Sequence, residues 1–127
     1  MLKRGTYVAF PEAHPTAIET IERIEIPLGQ PVEVTGRIKA ADTVNYLFQA
    51  QSYDILAVSL SASSKCCAFN VYSPNESDPI YDGWADGPDW GDTLHRDGEF
   101  RIELYMGFKA ERGEEATFTL RIERPID

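Results

Sequence analysis

Apolar and polar residues alternate along most of this chain, and that period of two constrains the fold more than any other feature. Successive side chains on a strand point to opposite faces, so alternation marks a strand with one buried and one wet face. Val32, Val34 and Ile38 alternate with Glu33, Arg37 and Lys39, and Val44, Tyr46, Phe48 and Ala50 follow. Leu56, Val58 and Leu60 alternate with Ala57, Ser59 and Ser61, and Cys67, Phe69 and Val71 form the next set. Phe100, Ile102, Leu104 and Met106 alternate with Arg101, Glu103 and Tyr105, and Ala116, Phe118, Leu120 and Ile122 with Thr117, Thr119, Arg121 and Glu123. This register predicts a core of Phe48, Val58, Phe69, Ile102, Leu104, Phe118 and Leu120. Turn-forming stretches separate the runs: Gly29-Gln30-Pro31, Ala41-Asp42, Ser63-Ser64, Asp97-Gly98 and Arg112-Gly113-Glu114. Short connections between such strands call for antiparallel pairing, hence an all-β antiparallel β-sandwich.

No segment carries a convincing helical stripe. Ile18, Ile21 and Ile24 fit a short helical turn, but Ile24, Ile26 and Leu28 fit a strand equally well, and the strand is preferred. Residues 1–16, with Pro11 and Pro15, read as a loosely attached arm, and residues 17–127 as one sandwich domain. The length of 127 residues suits a single core, and 43% hydrophobic against 26% charged residues excludes a disordered chain. No apolar run reaches the ~20 residues of a membrane-spanning helix. The two cysteines, Cys66 and Cys67, are adjacent. Neighbouring Cα atoms lie ~3.8 Å apart, too close for an ordinary disulfide. On a strand one points inward and one outward, so Cys67 is expected buried, Cys66 outward, and neither bridged.

The charge is concentrated. Residues 74–99 hold Glu76, Asp78, Asp82, Asp86, Asp89, Asp92, Asp97 and Glu99 against Arg96 alone, a net of −7 out of −9 for the whole chain. Such a balance repels nucleic acid and anionic membranes and favours a basic protein or a metal cation. Residues 73–97 also break the strand rhythm. They form a connection too long for a hairpin, with a short strand expected near Gly91–His95. Tyr81, Trp84 and Trp90 within it argue against plain disorder.

Four kinds of chemistry deserve weighing. Asp82, Asp86, Asp89 and Asp92, spaced by four, three and three with glycines between, resemble a loop that wraps a hard cation. The spacing is not that of an EF-hand, and a solvated acidic loop accounts for it as well, so no metal ligand is assigned. Trp84 and Trp90 suit stacking on a sugar or anchoring a protein partner, although at least one is expected to tuck inward and pin the loop. Catalysis lacks a constellation. His14 and His95 are the only histidines, and no nucleophile, metal or phosphate-binding motif accompanies them. No catalytic residue and no cofactor is expected. Phe108 and Arg112, in the turn between the last two strands, are placed to project into a partner.

Val34–Lys39, Asn45–Ala50, Ile55–Leu60, Asp97–Met106 and Ala110–Leu120 together resemble the bacterial pre-peptidase C-terminal domains. Within these the pattern is most similar to the periplasmic inhibitors of goose-type lysozyme. The resemblance covers about residues 30–123. It implies a non-catalytic antiparallel sandwich of about eight strands whose loops at one end plug the enzyme's cleft. It also implies a periplasmic or secreted location, while two unpaired cysteines are equally compatible with a reducing compartment. Those inhibitors carry a Ser-Gly turn before the penultimate strand, where this chain has Asp97-Gly98. They also carry two arginines four residues apart in the last hairpin, where this chain has Phe108 and Arg112. The expected contact set for a basic partner such as a lysozyme is therefore Tyr81, Asp82, Trp84, Asp86, Asp89, Trp90, Asp92, Asp97, Phe108 and Arg112. The alternative is a calcium- or glycan-binding module of the same fold.

Overall fold

The computed structural model describes residues 17–107 and 109–126. The arm at residues 1–16, with His14, and Phe108 lie outside the described residues.

The alternating runs become strands. In chain order they are β1 (Glu19–Arg23), β2 (Val32–Lys39), β3 (Thr43–Ala50), β4 (Ile55–Ala62), β5 (Cys67–Tyr72) and β6 (Tyr81–Asp82). A one-turn helix α1 (Gly83–Asp86) follows, then β7 (Asp89–Thr93), β8 (Gly98–Met106) and β9 (Glu115–Glu123). They build two sheets, one ordered β1-β3-β8-β5-β6 and the other β2-β9-β4-β7. The short β7 replaces the strand expected near Gly91–His95, two residues earlier. The described strands number nine, against about eight expected.

The core is the set of inward positions of both sheets. Phe48, Phe69, Phe100, Ile102 and Leu104 meet Leu56, Val58, Phe118, Leu120 and Ile122. All seven residues named from the alternation are buried. Phe48 and Phe100 are register partners and stack with centroids 5.9 Å apart. Gly36 is the small partner that Phe118 needs: a Cβ there would meet the Phe118 ring at 2.9 Å. Cys67 is buried and Cys66 half-buried, both unbridged, and burial pushes the Cys67 thiol up to about 11.

The strand expected through Ile24, Ile26 and Leu28 does not form. Strand β1 lies earlier, at Glu19–Arg23, and pairs with β3 in parallel. Parallel neighbours need a crossover, and β2 supplies it by running back through the opposite sheet. Ile26 is still buried, but Pro27 offers no N–H to a ladder and Gly29, at φ 79°, turns the chain away. Ile24 contributes a last backbone bond, its N–H donating to the Leu47 carbonyl at 2.9 Å. Arg124 ties this stretch down, donating to the Ile26 carbonyl and to Asp54, each at 2.8 Å.

The strand registers define two ends. The turns β2–β3, β4–β5 and β8–β9 share one, here called the hairpin end. The β3–β4 turn and the connection into β8 share the other.

Candidate functional site

The acidic connection is a strap along one flank of the sandwich, not a loop projecting from its end. After Tyr72 the chain doubles back so that Tyr81 faces Val71 and Asp82 faces Asn70. Asp82 then caps α1: its Oδ1 accepts from the Trp84 N–H at 3.1 Å and the Ala85 N–H at 3.3 Å. Gly83 is forced by contact, since a Cβ there would sit 2.2 Å from the Phe69 carbonyl oxygen. Gly87, at φ 107°, ends the turn with its N–H on the Gly83 carbonyl. The chain next joins the edge of the opposite sheet, where Asp89, Trp90, Gly91 and Asp92 pair with Ser59, Val58, Ala57 and Leu56. Residues 81–93 thus pass from the edge of one sheet to the edge of the other and close the side of the sandwich.

Tyr81 corrects the expected contact set, because it is an internal fastener. It is buried, its hydroxyl donates to the Gly87 carbonyl at 2.6 Å, and its ring lies between Phe69 and Trp90 at 5.3 and 5.6 Å. Burial, followed by the charges of Asp86, Asp89 and Asp82, raises its pKa. Trp90 is half-buried against the core and completes the same fastening.

Trp84 faces a different neighbourhood. Its indole lies directly over Gly107, where a Cβ would meet the ring at 2.2 Å. Gly107 is the root of the β8–β9 hairpin, so the strap and the turn that carries Arg112 meet at this contact. Arg112 is exposed in that turn. The hairpin is held by one bond of its own and one to the neighbouring β4–β5 turn. The Glu114 carboxylate accepts from the Ser64 hydroxyl at 2.5 Å and from the Glu111 N–H at 3.0 Å, and these two bonds lower its pKa. Below Trp84, between β4 and β5, lies a cleft of about 700 Å³ whose lining includes Leu60, Ala62, Lys65, Cys67 and Pro88.

The other expected contacts lie elsewhere. Asp97 accepts from the Ser52 N–H at 2.8 Å and serves the β3–β4 turn. It adjoins Gly98, at the opposite end of β8 from Gly107; at ~3.4 Å per residue, extended chain of that length separates the two glycines by roughly 31 Å. Asp92 lies on β7 opposite Leu56, with its carboxylate on the Thr93 N–H at 2.8 Å. The four aspartates suggested for a cation do not converge. Among the described residues no three His, Cys, Asp or Glu side chains are grouped so as to hold a metal ion. The structure therefore brings together Asp82, Trp84, Asp86 and the Arg112 hairpin, and leaves Asp92 and Asp97 apart.

The sequence reading missed Asn70, Glu103, Tyr105 and Gly107, which surround Trp84 and Asp82. The Tyr105 hydroxyl donates to Asn70 Oδ1 at 2.9 Å, and the same oxygen accepts from the Gly83 N–H at 3.3 Å. Only the pairing of β5 with β8 makes these residues neighbours.

No family model matches the chain, and no curated protein matches it by sequence. Solved structures do. A periplasmic inhibitor of g-type lysozyme from Aeromonas hydrophila superposes with a TM-score of 0.69 at 22% identity, over 83% of this chain and 97% of that one. The corresponding inhibitor from Salmonella Typhimurium gives 0.58 at 19%, over 80% and 97%. The pre-peptidase C-terminal domain of a Bacillus anthracis collagenase gives 0.62 at 16%, over 88% and 100%. The fold of this chain is thus the β-sandwich common to pre-peptidase C-terminal domains and the periplasmic inhibitors of g-type lysozyme.

Proposed function

We propose that the protein is a non-catalytic inhibitor of a goose-type lysozyme, acting from the hairpin end of its sandwich. The fold alone is compatible with other roles. The observation that carries the reading is the seating of Trp84 on Gly107. It places a large aromatic side chain at the root of the hairpin that presents Arg112, and aromatic and arginine side chains are the residue types that dominate protein interfaces. The acidic strap runs alongside. A cationic enzyme approaching this flank is attracted before contact, which raises the encounter rate. Nucleic acid and anionic membrane are repelled by the same field. The reading carries a periplasmic location with it, as for the inhibitors of this fold.

The test is inhibition of a goose-type lysozyme, with a chicken-type enzyme as control. The wild-type chain inhibits the goose-type enzyme at micromolar concentration or below. Arg112→Ala weakens inhibition by about tenfold or more, the range of a hot-spot truncation. Failure of the wild-type chain to inhibit either enzyme at micromolar concentration overturns the reading.

A further inference from the structure

On the outer face of the β5–β8 pair, beside Trp84, lies a shallow groove of about 330 Å³. Trp84 and Tyr105 supply aromatic surface, Asp82 and Glu103 supply carboxylates, and Asn70 and Gly107 complete the described lining with Met106. Neither lysine nor arginine occurs among those lining residues. The two acids act on one place. Burial first, then the charge of Asp82, and to a smaller extent that of Glu103, push the Tyr105 hydroxyl up to about 12.

The same face already handles a guanidinium. Arg101 stacks over the Tyr72 ring at 4.0 Å from its centroid, with Nη1 3.5 Å from Glu103 Oε2. Aromatic surface flanked by a carboxylate is thus a working guanidinium seat on this sheet. Next to it, Trp84 and Tyr105 with Asp82 offer the same ingredients, and Glu103, whose Oε2 faces Arg101 and whose Oε1 accepts from the Tyr72 hydroxyl at 3.3 Å, is shared between the two seats. A guanidinium is planar, stacks on aromatic rings and donates in a fork that suits two carboxylates, whereas an ammonium is a compact, strongly hydrated charge. We propose that the groove between Trp84 and Tyr105 receives an arginine side chain from the surface of the basic protein partner. The identity of that partner rests on the lysozyme reading; the groove's preference for arginine does not.

The probe is arginine amide, titrated into the labelled protein at low salt while the Trp84 indole N–H and the Gly107 amide are followed by NMR. Lysine amide and neutral citrulline amide serve as comparisons. Arginine amide gives a saturable shift at these two positions, at lower concentration than lysine amide, and citrulline amide gives none. The double variant Asp82→Asn, Glu103→Gln weakens arginine binding about tenfold, and asparagine keeps the α1 cap intact. The control Asp92→Asn, Asp97→Asn removes the same charge at a distance and leaves binding unchanged. An equal loss in both variants, or no saturable shift with arginine amide, overturns the proposal. Against the goose-type lysozyme, the Asp82/Glu103 variant also loses inhibition about tenfold. Inhibition by a chain that takes no arginine amide overturns the groove and leaves the lysozyme reading in place. Arginine binding by a chain that inhibits nothing retires the lysozyme reading and keeps the groove.

Discussion

Single residues in this protein are assigned to one face or the other with little ambiguity, and the cysteines show how. Cys67 begins β5 pointing into the core, while Cys66 precedes it and stays half-buried, its carbonyl accepting from the Gly107 N–H at 2.7 Å. The thiolate is the reactive form, and burial holds the Cys67 thiol at about 11, far above the pH of a labelling reaction. A thiol reagent at pH 8 therefore labels one equivalent per native chain, at Cys66, and the second only on unfolding. Two fast equivalents in the native protein contradict the burial of Cys67. Asn45 shows the same discipline for a polar group. It is 1% exposed, yet its Oδ1 accepts from Arg101 at 2.8 Å and its Nδ2 donates to the Thr20 carbonyl at 3.3 Å. A buried amide so partnered escapes the cost of an unsatisfied polar group.

At the scale of elements, the strap is the piece whose attachment decides the shape of the candidate site. Two contacts fasten it: Gly83 against the Phe69 backbone and Tyr81 between Phe69 and Trp90. Gly83→Ala drives a Cβ into main chain that has no flexible end to yield. It lowers stability by about 1–3 kcal/mol in urea unfolding and shifts Trp84 and Trp90 fluorescence. Tyr81→Phe keeps the ring and loses only the hydroxyl, which is shared between the Gly87 and Asp89 carbonyls, at a cost of about 1 kcal/mol, with fluorescence little changed. Equal effects of the two variants contradict the packing described. These contacts also mark how far the sequence is readable. Alternation identified β2 to β5, β8 and β9 because each buries one face, and the face named was the buried one. Strand β1 lacked that signal: all five of its residues are exposed, and its parallel partner is reached only through the opposite sheet. The four-residue α1 is too short to show a helical period. Tyr81 was read as a contact because an aromatic in an acidic stretch looks the same whether it faces solvent or core. The Trp84–Gly107 contact and the groove depend on strand register and on a missing Cβ, neither of which alternation reports.

Across the whole molecule, only part of the charge lies beside the contact residues, and the two contributions are separable by measurement. The net charge of −9 is dominated by the strap and its flanks; Asp82 and Trp84 on the strap lie at the root of the Arg112 hairpin, whereas Asp89 and Asp92 continue along β7. Charges at a distance act on the encounter and are screened over ~8–10 Å by physiological salt, while packed contacts act on dissociation. The aspartates suited to the test are those on the strap and outside the groove. Asp82 lines the groove and Asp97 lies off the strap, against the β3–β4 turn, so both are left in place. Asp86, Asp89 and Asp92 are exposed on the strap. Replacing these three with asparagine slows association with a goose-type lysozyme several-fold at low ionic strength, with dissociation little changed. The difference from wild type shrinks as salt approaches 0.5 M, where the screening length falls to a few ångströms. Arg112→Ala does the reverse, speeding dissociation at every salt concentration and altering association little. Surface plasmon resonance over a salt series separates the two. If the triple variant instead raises the dissociation rate and the effect persists at high salt, the strap aspartates are direct contacts, and the partner lies along the flank of the sandwich and not on its end.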